Sequence, residues 1–131
     1  MEFFDVLDKK GQFTGEIRSR TDVHRFGLWH RTVHVWVMNN KKELLIQKRS
    51  ANMEFCPNLW DISSAGHIEA GKDNIDTVLK EVKEELGIKL REDEPKLIFT
   101  VIHQFTWNDG ELIITNSTMF FWLEKIFCLM N

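Results

Sequence analysis

The stretch Gly66–Ile88, GHIEAGKDNIDTVLKEVKEELGI, constrains this chain most. It reads as a loop followed by one short helix. Asp73 or Asn74 supplies an N-cap, its side-chain oxygen taking up a backbone N–H of the first turn. Gly87 supplies the stop, because glycine enters the left-handed conformation without a Cβ clash. Between them Ile75, Val78, Leu79, Val82 and Leu86 recur at three- and four-residue spacing, which makes one apolar stripe. Glu81, Glu84 and Glu85 stand at i, i+3 and i+4 and gather on one face beside it. Carboxylates so close repel one another. Either water solvates them as a plain acidic face, or a hard divalent ion with oxygen ligands joins them, and Mg²⁺ commonly brings phosphates with it.

The residue order resembles the signature of the Nudix hydrolase family. That signature is Gly, five residues, Glu, seven residues, then Arg-Glu-apolar-any-Glu-Glu-any-Gly-apolar. Gly66 opens it here, and Glu81, Val82, Glu84, Glu85, Gly87 and Ile88 fall in register. Two positions depart: Lys72 stands for the first glutamate and Lys80 for the arginine. Lys80 keeps a positive charge to orient a glutamate but loses the bidentate fork. Lys72 reverses a charge, and Asp73 is a substitute one residue along. The resemblance covers Phe3 to Leu123 and implies the Nudix fold, a curved mixed sheet between helices. It implies hydrolysis of a diphosphate linkage in a nucleoside diphosphate derivative or related organic diphosphate, using Mg²⁺ or Mn²⁺. Glu81 and Glu85 would be the principal metal ligands, with Glu84 a further ligand or the base acting through a water. The backbone carbonyl of Ala65 would add a ligand, and Lys80 would assist catalysis. Lys48 and Arg49 are placed to reach phosphate oxygens, with plain surface charge as the alternative.

A second resemblance is to type 1 isopentenyl diphosphate isomerase. It rests on His24, Trp29-His30-Arg31, Trp36-Val37-Met38-Asn39, Trp60 and Gly66-His67. The isomerase's metal-binding histidines would fall on His24, His30 and His67. Its catalytic cysteine falls on Ala65, and its late acidic residues fall near Thr115 and Ser117. Alanine neither delivers nor removes a proton, so the resemblance points to a hydrolase of the isomerase-like branch. His30 and His67 either hold a metal, line the phosphate site or serve as structural residues. His34 and His103 read as packing or surface residues. The third reading is a catalytically weak domain that binds a nucleotide or a protein partner, which Lys72 favours.

At 131 residues the chain is expected to form a single domain, residues 1–131. Lys and Arg number 17 against 20 Asp and Glu, a formal charge of −3, and no basic block offers a footprint for nucleic acid. No apolar run approaches the roughly 20 residues that span a bilayer, and the start, MEFFDVLDKK, lacks the apolar core of a secretory signal. Cys56 and Cys128 fit no disulfide framework or metal spacing, so free thiols in a reducing cytoplasm are expected. The expected partner is a small-molecule diphosphate, with no nucleic acid and no membrane; homodimers are common among relatives, so a homodimer is one open assembly.

Read in order, Phe3–Leu7 is a strand, Asp8-Lys9-Lys10-Gly11 a turn and Phe13–Ile17 its hairpin partner. Arg18–Phe26 carries a helical turn starting near Ser19 or Thr21. Val33, Val35 and Val37 alternate with His34, Trp36 and Met38 as a half-buried strand. Leu44–Gln47 and Trp60–Ser64 read as further strands, with a loop between them broken by Pro57. After the helix come strands at Leu97–Ile102, prolonged to Trp107, a turn at Asn108-Asp109-Gly110, and strands at Glu111–Ile114 and Thr118–Leu123. The class is α+β with a mixed sheet. Among the five tryptophans, Trp36 and Trp122 read as core; Trp29, Trp60 and Trp107 lie near loops, as core or rim residues or as a platform for a base. The apolar tail Ile126–Asn131 suggests a shortened C-terminus, an interface or a packed terminal strand.

Overall fold

The computed structural model describes residues 1–53, 56–107 and 112–125. The Asn108–Gly110 turn, Glu111 and the Ile126–Asn131 tail lie outside the described residues. The elements run β1 (Phe3–Leu7), β2 (Phe13–Ser19), α1 (Arg20–Phe26), β3 (His30–Met38), β4 (Leu44–Leu45), β5 (Gln47–Lys48), β6 (Trp60–Asp61), β7 (Ser64–His67), α2 (Asn74–Leu86), β8 (Lys96–Trp107) and β9 (Leu112–Glu124). This is the α+β class with a mixed sheet.

The sheet is built on β3. Its alternation puts Val33, Val35 and Val37 on one face, all fully buried. β3 pairs β9 in parallel from His30↔Asn116 to Met38↔Glu124, β7 antiparallel through Val33↔Gly66, and β4 antiparallel through Val37↔Leu45. β8 closes the order β4-β3-β9-β8 antiparallel to β9. β1 and β2 form a separate hairpin, and β5 and β6 a two-stranded ribbon.

α2 lies on the valine face. Val78 and Val82 of its stripe are fully buried and join Ile68, Phe121 and Leu123 in the core, with Ile75, Leu79 and Leu86 packed at its margin. Each fully buried valine contributes about 1.5 kcal/mol or more relative to exposure. The Asp73 carboxylate caps the helix, accepting from the Ile75 N–H at 2.6 Å. Gly87 ends it at φ +69°, its N–H donating to the Lys83 carbonyl. The other face of β3 carries His30, Thr32, His34 and Trp36, and α1 approaches it where the His24 and His30 rings lie 5.4 Å apart.

The local structure differs from the sequence reading in several places. Leu44–Gln47 is not one strand: Leu44–Leu45 pairs β3, whereas Gln47–Lys48 pairs β6. Trp60–Ser64 likewise divides between the ribbon and the sheet, so Gly66 stands in strand β7 rather than in a loop. The two last strands are one continuous β9, because buried Ser117 and Thr118 keep their ladder partners. Trp36 is only half-buried, and its ladder neighbour Trp122 is 36% exposed; both lie on the face opposite α2 rather than in the core.

Candidate active site

β7 and α2 run side by side, and the closest approach is at Gly66. A Cβ built there would stand 2.6 Å from Cγ and 2.7 Å from Oε1 of Glu81. The glycine serves close approach and not an unusual backbone angle. Glu81 is thereby half-buried, and its pKa rises from 4.5 to about 7. Burial is the main cause, followed by the charge of Glu85, while Lys80 opposes the shift. Glu85 also contributes through a side-chain hydrogen bond, so the two carboxyl groups face each other at the strand edge.

Glu85 is fixed from the strand side. It accepts from Ser64 Oγ at 3.0 Å, from the Ala65 N–H at 3.3 Å, and from Gln47 Nε2. Gln47 also donates to the Ser63 carbonyl at 3.1 Å. Glu84 is exposed on the same helix. Lys80 Nζ lies 3.4 Å from Glu69 Oε1; slight burial opposes its charge, but Glu69, Glu81 and Glu84 outweigh this and raise its pKa.

The loop that leads into the helix is tied down from below. Asp5 accepts from the Gly71 N–H at 3.0 Å and pairs with Arg31 at 3.1 Å, and Arg31 also donates to the Lys72 carbonyl. Lys72 itself is exposed. Asp73 does not substitute for the missing signature glutamate, because its carboxylate is the helix cap. Glu69 holds Lys80 instead. Of the phosphate candidates, Lys48 is exposed on β5, and Arg49 pairs with Asp61 at 3.0 Å.

Beside this site α1, β3 and β7 bring His24, His30 and His67 together, with ligand atoms all within 4.8 Å of one another. The His30 and His67 rings stack at 5.2 Å, and Phe4 stacks on both. Burial, then the charges of His30, Arg20, His24 and His34, pushes the His67 pKa well down. His30 Nδ1 lies 3.0 Å from the Leu28 carbonyl, to which it donates. Converging imidazoles are a donor set for a transition metal. His34 packs edge-on against Phe120 at 5.1 Å, and His103 Nε2 lies 2.8 Å from Thr118 Oγ1.

Sequence reasoning missed Gln47, Ser64, Glu69 and Asp61. Gln47 and Ser64 reach Glu85 across 38 and 21 residues, a separation with no local pattern. Glu69 carried a signal, as an acidic residue three positions before Lys72 in a tight loop.

The comparisons with known proteins agree on a family. The NUDIX domain profile matches residues 28–124. The chain is 45% identical over 113 residues to Nudix hydrolase 3 of Arabidopsis thaliana, covering 86% of this chain and 15% of that protein. It is 42% identical over 96 residues to an uncharacterized Nudix hydrolase of Clostridium acetobutylicum, covering 71% and 46%. An isopentenyl-diphosphate Delta-isomerase of Escherichia coli is 29% identical over 90 residues, covering 69% and 50%. The chain thus spans about half the length of these bacterial relatives and less of the plant one. Among solved structures, a Deinococcus radiodurans protein superposes with a TM-score of 0.75 at 19% identity, covering 97% of this chain and 74% of that one. A MutT protein of Methanosarcina mazei gives 0.61 at 21%, covering 78% and 68%. With a signature helix, a glycine seated against its glutamate and a profile that matches most of the chain, this protein belongs to the NUDIX domain family.

Proposed function

We propose that the chain is a divalent-metal-dependent Nudix hydrolase that cleaves a diphosphate linkage in a nucleoside diphosphate derivative or a related organic diphosphate. The observation that carries this reading is the Glu81–Glu85 pair, two facing carboxyl groups with Glu81 packed against Gly66. Such a pair fits a cation, since Mg²⁺ or Mn²⁺ between the carboxylates would relieve their repulsion. A bound ion there supplies neutralisation of phosphate charge and acidification of water.

The chain's own residues supply the rest. Glu81 and Glu85 would hold the ion, with Glu84 and the Ala65 carbonyl as further oxygen ligands. Ser64, the Ala65 N–H and Gln47 fix Glu85 in one orientation before substrate arrives, which is the preorganisation catalysis needs. Lys80, held by Glu69, keeps a positive charge beside Glu81 and Glu84. Lys48 and Arg49 approach the phosphates from the ribbon, Arg49 with its direction fixed by Asp61. The test is phosphate release from a panel of nucleoside diphosphate derivatives and organic diphosphates, with Mg²⁺ or Mn²⁺, for wild type and Glu85→Gln. Turnover that vanishes in the variant supports the reading. A folded, metal-binding wild type with no turnover on any compound overturns it in favour of a binding domain.

The convergence of His24, His30 and His67 favours one addition, a separate transition-metal centre at that trio. Retention of Zn²⁺ or Mn²⁺ after gel filtration, lost in His67→Ala but kept in Glu85→Gln, would distinguish it from the glutamate site. Ala65 leaves the isomerase reading without its acid–base group, and an assay for isomer formation from isopentenyl diphosphate tests that directly.

A further inference from the structure

β8 is the last strand of the sheet, and among the described residues it has no second neighbour. Its sequence is not that of an edge. Leu97-Ile98-Phe99-Thr100-Val101-Ile102 holds no charge, glycine or proline. A near-continuous apolar run is the pattern of a strand covered on both faces. Here the run lies open: Leu97 and Ile98 are 52% exposed, Phe99 49%, Ile102 43% and Val101 37%.

The exposed residues are divided between the two faces. Leu97 and Ile102 stand opposite Phe121 and Ser117, on the face that α2 covers further in. Phe99 and Val101 stand opposite Phe120 and Thr118, on the other face. A helix or loop laid on one face leaves the other open. A strand added at the edge flanks both at once, and it must itself be apolar on both faces to match. Such a strand also pairs the row of N–H and C=O groups that an edge leaves over. β8 meets each of these requirements, and a second copy of the chain brings it.

The other edges of the fold are blunted. β4, β5 and β6 have two residues each and β7 has four. β1 is bonded through its backbone to Trp29 and Ala70. β2 carries the Glu16–Arg18 ion pair, and its ladder with β1 shifts register. Short strands, charge and irregular ladders are how proteins keep edges from pairing. β8 has one irregularity, between Leu97 and Phe99, and its ladder is regular from Phe99 to Trp107.

We propose that two copies of this chain pair β8 with β8, antiparallel about a two-fold axis, and so join their sheets into one. An axis at Thr100 sets each Phe99 opposite the partner's Val101, an aromatic–β-branched pair of the kind that stabilises ladders, and sets Thr100 opposite itself. An isologous contact of this kind closes at two copies. β9 and β3 separate β8 from β7, so pairing leaves the candidate active site open and does not depend on what is hydrolysed there. The contact is an edge and not a broad face, smaller than the roughly 1,600 Å² of a standard interface. The dimer is therefore expected to dissociate on dilution, with Kd on the order of micromolar.

The test is the mass in solution. Sedimentation velocity of wild type and Val101→Lys is followed from roughly 1 to 200 µM, with circular dichroism as the check on folding. Wild type is expected to pass from 15.5 kDa towards twice that mass. Val101→Lys, which puts a charge on the edge, is expected to weaken the dimer at least tenfold. A second measurement serves should that variant fail to fold. In a Cys56→Ser, Cys128→Ser background, Thr100→Cys is expected to form an interchain disulfide under mild oxidation faster than Glu16→Cys on β2. A wild type that stays at 15.5 kDa throughout overturns the pairing, and slow hydrogen exchange along β8 in that monomer assigns the edge to another segment of the same chain. A dimer that folded Val101→Lys leaves equally tight, equal crosslinking by the two cysteines, or growth past the dimer would each overturn it as well.

Discussion

Gly66 and Glu81 are best understood together. The glycine is needed because the Glu81 side chain occupies the space a Cβ would fill. Gly66→Ala is therefore expected to push Glu81 away from Glu85. Displacement by about 1 Å typically costs on the order of a hundredfold in rate, so kcat/KM should fall by that order while the circular dichroism spectrum stays native. Glu81 also carries a cost in the metal-free protein. Its pKa is raised from 4.5 to about 7, so the folded state binds the extra proton in that window. The stabilisation is present in full below about 4.5 and is lost as pH rises through about 7. In EDTA the wild-type melting temperature should fall from pH 5 to pH 8, and Glu81→Gln should flatten that fall. The variant should gain about 1 kcal/mol at pH 8, discounted for a half-buried group, and lose activity. At this scale the sequence was informative where residues sit on one helix, since i, i+3 and i+4 spacing alone assembles Glu81, Glu84 and Glu85. Gln47 and Ser64 were invisible because their contacts with Glu85 depend on how β5 and β7 fold back.

The signature helix had legible ends, since a carboxylate before the stripe and a glycine after it are local signals, and both act as caps. Asp73→Ala should cost about 1 kcal/mol, read as a lower midpoint in urea with an unchanged m-value. The short ladders were illegible for the opposite reason. A two-residue pairing such as Gln47–Lys48 with Trp60–Asp61 has no periodicity of its own and is fixed by the elements around it. Continuous β9 was hidden too, because polar Thr115, Asn116 and Ser117 look like a break. The Thr32–Thr118 hydroxyl contact at 2.8 Å and the unbroken pairing with β3 keep them in the sheet. The loop before α2 yields a charge exchange: Lys72 is exposed, and Glu69 has become the partner of Lys80. Accordingly, Lys72→Ala should leave activity within about twofold and stability within about 0.5 kcal/mol, as for surface sites generally. Glu69→Gln should lower kcat severalfold, and the contrast between the two variants is the measurement that counts.

Across the whole molecule, folding, proton binding and the proposed metal binding converge on one helix face. Among the described residues no helix is long and apolar enough to cross a membrane, and α2 instead spends its apolar stripe on the core with β3 and β9. Because Val78 and Val82 anchor the same helix that carries the glutamates, an ion bound to Glu81 and Glu85 binds only the folded chain. It therefore stabilises the fold by mass action, by about 2.7 kcal/mol at a concentration one hundred times Kd. For a domain of this size that corresponds to a rise in melting temperature of roughly 10 °C. The rise should depend on pH with a definite sign, because the ion must displace the proton that Glu81 holds below about pH 7. At pH 5.5 added Mg²⁺ should shift the melting temperature little. Above pH 7, where Glu81 is ionised, the shift should reach its full value and offset the loss seen in EDTA. Glu85→Gln should abolish the shift at every pH while leaving the melt cooperative. A Mg²⁺-dependent shift that is equal at pH 5.5 and pH 8, or that survives Glu85→Gln, would place the ion elsewhere than between these two carboxylates.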